Sequence, residues 1–103
     1  MNLLEIQQLV KKIAEKFPEE EDSLDILARL TEECGEVASE IRKMEKKGSK
    51  VYFNVSPNKE KLADELVDVL NAIASIANFY GLNLHIESDR RNTHIKEVLK
   101  IED

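Results

Sequence analysis

Tryptophan is absent from this chain, and cysteine occurs once. One thiol cannot close an intrachain disulfide, so a cystine-stapled scaffold is excluded and a reducing cytoplasm is the expected compartment. Glycine and proline are scarce as well, at three and two among 103 residues. That excludes a collagen-like or low-complexity chain. No apolar run approaches the ~20 residues of a membrane helix, so no span is expected. The start, Met1-Asn2-Leu3-Leu4-Glu5, has neither the basic opening nor the long apolar stretch of a secretory leader. Basic residues are outnumbered, with 15 Lys and Arg against 21 Asp and Glu and a net charge of −6. This balance argues against a nucleic-acid polymer as partner. A nucleotide stays open as a ligand, because a bound divalent cation reverses the local charge.

What is present points to helices. The chain is 42% apolar and 35% charged, a composition of a helical globular protein rather than a disordered one. Its length suits a single domain over residues 1–103 with a modest core, which favours a homo-oligomer. Leu3, Ile6, Val10, Ile13 and Phe17 recur at helical spacing, predicting a first helix from about Asn2 to Lys16. Asp22 or Ser23 is a suitable cap for a second helix reaching about Lys47, with Gly48 as its stop. A loop follows, in which Val51-Tyr52-Phe53 could be extended, and the Lys46–Lys59 connection is a candidate lid. Ser56-Pro57 reads as the opening of a third helix, which runs to about Tyr80 and stops at Gly81. The tail from Asn83 to Lys100 is expected to be a fourth helix, although its apolar periodicity is poor.

Two acidic pairs carry the chemistry. Glu33-x-x-Glu36 lies on the second helix and Glu65-x-x-Asp68 on the third. Residues three apart share a helical face, so each pair aims two carboxylates one way. On a wheel at ~100° per residue, Ile26, Leu30, Cys34, Val37, Ile41 and Met44 form one apolar stripe. Glu33 falls at its edge, Glu36 a little further round, and Glu40 between them as a possible third. Glu65 falls inside the wide apolar arc of the third helix, and no basic residue is spaced to partner it there. Were the two helices antiparallel, four carboxylates would meet and repel unless a cation neutralised them. All-oxygen ligation suits Mg2+, or Mn2+. The width of the arc suggests a helix covered on several sides, as in a bundle made by more than one subunit.

Plainer readings stand beside these. An isolated acidic pair is most often a solvated face; here two pairs lie at apolar-stripe edges on adjacent helices. Cys34, in the stripe, reads as a buried structural thiol. His85 and His94 read as surface residues. Asn71 and Asn78 read as solvated, with Asn71 one turn past Asp68 and so within reach of a ligand. Lys59 and Lys61 are the basic residues nearest the second pair in sequence and are candidate phosphate contacts. Arg90-Arg91-Asn92 is a small polar and basic cluster. Asn54-Val55-Ser56 matches a glycosylation pattern that has no meaning in a cytoplasmic protein.

Glu32-Glu33-x-x-Glu36, a gap of 28 residues, and Glu65-x-x-Asp68 together resemble the signature of the MazG-like all-α nucleoside triphosphate pyrophosphohydrolases. The flanking text Leu30-Thr31-Glu32-Glu33-Cys34-Gly35-Glu36-Val37 and Leu62-Ala63-Asp64-Glu65-Leu66-Val67-Asp68-Val69-Leu70 is similar too, as is Tyr80-Gly81-Leu82-Asn83-Leu84. The resemblance implies an all-α, four-helix-type bundle completed by homo-oligomerisation into a dimer or tetramer. It implies Mg2+-dependent hydrolysis of a nucleoside triphosphate to the monophosphate and pyrophosphate. Glu33, Glu36, Glu65 and Asp68 would hold the metal, and Glu32 would help to orient the attacking water. Asn92 resembles an asparagine that contacts the nucleotide from the final helix. The first helix lacks the aromatic residues that dCTP-cleaving relatives place near the base, which leaves base preference open. Three alternatives remain: a phosphoribosyl-ATP pyrophosphohydrolase, a non-catalytic helical dimer that binds a nucleotide or a protein, and a structural bundle with no ligand, against which the costly placement of Glu65 counts.

Overall fold

Short polar side chains mark where each helix begins. In the computed structural model, which describes residues 1–48 and 56–102, Asn2 Oδ1 accepts the Glu5 N–H at 2.8 Å while Glu5 Oε1 accepts the Asn2 N–H. This reciprocal cap opens α1 (Leu3–Ala14). Asp22 and Asp25 repeat the arrangement at the start of α2 (Ser23–Met44). Helix α3 (Lys59–Phe79) starts two residues later than Ser56-Pro57 would set it. Asn58 is its cap, because Asn58 Oδ1 accepts the Lys61 N–H at 3.1 Å. Asn83 caps α4 (Leu84–Leu99) by accepting from the His85 and Ile86 N–H groups. The described residues contain these four helices and no strand.

The helix ends follow one rule with different residues. After α3 the chain turns at Gly81, whose φ of 67° is the left-handed conformation that glycine adopts without strain. The Leu82 N–H then bonds back to the Ala77 carbonyl at 2.8 Å. After α2 the same turn is made by Lys46 (φ 55°), with the Lys47 N–H on the Arg42 carbonyl at 2.8 Å. The expected stop at Gly48 therefore falls two residues too late. Val51-Tyr52-Phe53 and half of the candidate lid lie outside the described residues.

The chain divides into two compact units, and α3 contributes to both. One unit comprises residues 1–20 and 74–103, in which α4 packs on α1. Val10, Ala74 and Ala77 are buried there beside a buried glutamine, Gln7. Gln7 Nε2 donates to Asn78 Oδ1 and to the Leu82 carbonyl, and Gln7 Oε1 accepts the Leu84 N–H. Asn78 Nδ2 returns a bond to the Gln7 carbonyl. Asn78 is thus held in a polar clamp across the turn at Gly81, not solvated as its wheel position suggests.

The other unit comprises residues 21–73, with α2 and the first part of α3. Ile26 and Ala72 are buried in it, as are Glu40 and Lys43. Leu66 and Val67, inside the wide apolar arc, remain 50% and 52% exposed. Cys34 is exposed, which corrects its reading as a buried thiol. Leu30 and Val37 on either side of it in the α2 stripe are half-buried, whereas Ile41 further along the stripe is exposed as well.

Candidate metal centre

Within the unit of residues 21–73, α2 and α3 run antiparallel. Glu33 feels the charge of Asp68, the Glu36 carboxyl meets that of Glu65, and Glu40 meets Lys61. Advancing along α2 therefore means retreating along α3. Steps of three and four residues keep each set on one helical face, and the two faces meet.

Glu33, Glu36 and Glu65 each offer a carboxylate oxygen, and these oxygens all lie within 4.8 Å of one another. Glu33 and Glu65 are half-buried and Glu36 is exposed. Glu33 Oε2 and Glu65 Oε2 are buried with no hydrogen-bond partner. A buried carboxylate oxygen without a donor is costly, and a native structure needs a reason for it. A divalent cation supplies one, since it prefers this all-oxygen set and satisfies such oxygens together. The residues thus fit a Mg2+- or Mn2+-type ion.

Electrostatics tells the same story. The Glu65 carboxyl is pushed up to about 7, first by its hydrogen bond with Glu36, then by desolvation, then by the charges of Glu36, Asp68 and Glu33. Glu33 is raised chiefly by desolvation, then by Asp68 and Glu36, while Arg29 pulls it the other way. Asp68 is exposed and acts on both glutamates through its charge. Glu32 points to solvent beside Glu33 and adds a smaller repulsion.

Other nominated residues have different surroundings. Glu40, the possible third carboxylate, is buried at 4% exposure, and Lys43 Nζ lies 2.7 Å from its Oε1. It therefore serves an ion pair beside the cluster. Lys61, a candidate phosphate contact, places its Nζ 3.9 Å from the same oxygen, and Lys59 is exposed at the first position of α3. Asn71 is half-buried one turn past Asp68 and already has a polar interaction. Asn92 belongs to the other unit, exposed on α4, with its Nδ2 donating to Ser88 Oγ. His85 and His94 are exposed, as their spacing suggests.

Two residues escaped the sequence reading. Lys43 sits three residues after Glu40, a spacing that signals an intrahelical pair. Arg29 sits four before Glu33 and also grips Glu21 with two 3.0 Å bonds. Both signals were present, but surface ion pairs are so common that spacing alone did not single them out.

The model of the MazG nucleotide pyrophosphohydrolase domain matches residues 21–97, which include every carboxylate of the cluster. No curated protein and no solved structure matches the chain significantly.

Proposed function

The chain belongs to the MazG nucleotide pyrophosphohydrolase domain family, and on that premise we propose that it hydrolyses nucleoside triphosphates to the monophosphate and pyrophosphate with Mg2+. Residues 1–103 would act as one catalytic domain, in the cytoplasm, on free nucleotides such as non-standard triphosphates. The observation that carries the reading is the pair of buried, partnerless oxygens on Glu33 and Glu65, set among carboxylates from two helices.

Glu33, Glu36, Glu65 and Asp68 would hold the metal. When bound, Mg2+ offsets the charge of the phosphate chain and makes a bound water more acidic. The chain's own contribution is positional. Antiparallel α2 and α3 present the carboxylates in one direction at a fixed helical spacing, so the triphosphate is oriented before reaction. Glu32, solvated and adjacent to Glu33, would accept a proton from the attacking water as its oxygen bonds to phosphorus. The phosphoanhydride bond then breaks, and pyrophosphate leaves with its electron pair. Lys59, Lys61 and Asn71 are the candidate contacts for phosphate oxygens on this unit, and Asn92 is a candidate contact from α4.

Homo-oligomerisation into a dimer or tetramer is part of the same proposal. Leu66 and Val67 lie beside Glu65 in sequence and are half exposed. Apolar side chains exposed at the flank of such a site are a cover a second copy would supply.

Pyrophosphate release from a panel of canonical and modified nucleoside triphosphates, with Mg2+ and with EDTA, is the test. Mg2+-dependent release that Glu65→Ala abolishes is expected. A folded, metal-loaded protein that turns over none of them would move the reading to phosphoribosyl-ATP, or to a binding role.

A further inference from the structure

Just beyond the carboxylate cluster lies a second group of charges that no metal requires. Glu40 and Lys43 are 4% and 9% exposed. Lys43 Nζ donates to both Glu40 oxygens, at 2.7 and 3.0 Å. Lys61 Nζ is a second ammonium, 3.9 Å from Glu40 Oε1, on a side chain that is 58% exposed. Two ammonium groups thus share one carboxylate, and the trio carries a net positive charge.

The contacts are unequal, and that inequality matters. Lys43 takes Glu40 through short, buried bonds, because a buried ammonium is costly unless paired. Lys61 is left the longer, outer contact and a solvent-facing tip. Glu40 stands one turn after Glu36 on α2, and Lys61 one turn before Glu65 on α3. The positive trio therefore adjoins the carboxylate cluster along the same strip. A metal-bound polyphosphate has the complementary order, a cation at one point and uncompensated oxygens beyond it.

We infer that the buried Glu40–Lys43 pair is a positioning device for Lys61, which grips the polyphosphate oxygens the metal does not reach. Lys43 cancels the charge of Glu40, which would otherwise repel the phosphate chain. Glu40 in turn tethers the Lys61 ammonium at the end of the cluster. This rests on the hydrolase reading and adds to it the residues that set the phosphate grip.

The test is titration of inorganic triphosphate into the full chain with Mg2+, and of Mg2+ alone. Lys61→Met should weaken triphosphate binding by about tenfold, the scale of one charge-assisted contact, and Lys61→Arg should restore most of it. Replacing both buried charges, Glu40→Leu with Lys43→Leu, should weaken binding to a similar degree. Adding Lys61→Met to that double variant should then cost nothing more, and Mg2+ affinity should hold throughout. Should the double variant fail to fold, Glu40→Gln serves in its place, since it keeps the shape and an acceptor for Lys43. Triphosphate affinity unchanged in Lys61→Met would overturn the inference. So would losses that multiply instead of saturating, because the pair would then be a structural element only. A wild-type protein that neither binds inorganic triphosphate nor releases pyrophosphate from nucleoside triphosphates would sink the hydrolase reading as well; one that releases pyrophosphate while Lys61→Met binds inorganic triphosphate as the wild type does would sink this inference alone.

Discussion

The Glu36 and Glu65 carboxyls face each other from antiparallel helices closely enough to share a proton, and this holds Glu65 near 7. A carboxyl raised in the folded state binds its proton more tightly there than in the unfolded chain. The folded state therefore holds the extra proton between about 4.5 and about 7, and stability falls as pH rises through that window. Metal-free protein should melt progressively lower across it, and Glu65→Gln should flatten the slope. Saturating Mn2+ at neutral pH should recover the lost melting temperature. Thermal melts by circular dichroism at stepped pH, with EDTA and with Mn2+, check this. Equal slopes for wild type and variant would refute it.

Loss of a ligand should remove the metal. Glu65→Ala or Glu36→Ala should abolish Mn2+ binding followed by electron paramagnetic resonance. Pyrophosphate release should drop more than about a hundredfold, since metal stabilisation of developing charge is a matter of several kcal/mol. Glu32→Gln should instead retain Mn2+ while losing turnover. Weakened Mn2+ binding in Glu32→Gln would reassign that residue to the metal.

The Glu40–Lys43 pair should respond asymmetrically to mutation. Glu40→Ala strands the buried Lys43 ammonium and should cost about 3–5 kcal/mol, Lys43→Ala leaves Glu40 its contact with Lys61 and should cost less, and leucine at both positions should be close to neutral. Urea unfolding of the three variants measures this. Singles as mild as the double would mean that water reaches the pair freely.

Gln7→Leu should orphan the Leu84 N–H and the Leu82 carbonyl, at about 1–3 kcal/mol for an unsatisfied buried group. Hydrogen exchange at the Leu84 amide should accelerate with it. An unchanged exchange rate would show that the clamp is not what protects that turn.

Light scattering should give at least twice the 11.8 kDa chain mass for wild type. Leu66→Glu should reduce it toward one chain, because a charge replaces half-exposed apolar surface. A monomeric wild type would contradict the proposed oligomer.

Much of this was readable in the chain. The cap at Asp22 is local, so the sequence names it, and the helix starts near Asn2 and Asn83 were placed without either residue being singled out as a cap. The two acidic pairs were readable because a helix converts a three-residue interval into a shared face. What escaped was decided between elements. Asn78 was read as solvated because a wheel knows only its own helix, whereas its partner is Gln7 on α1. Cys34 was read as buried because an apolar stripe implies a cover, and among the described residues its thiol is exposed. Lys46 takes the left-handed turn ahead of Gly48, since the helix had already ended by the time glycine was available.

The shared register of α2 and α3 leaves no slack in the spacing along α2. One residue inserted between Glu36 and Glu40 would turn everything after it by ~100°. Glu40 and Lys43 would then rotate off the strip while Glu33 and Glu36 stayed in place. Helix α2 thus works as a ruler whose marks are read by α3, and a change of one mark displaces every charge beyond it.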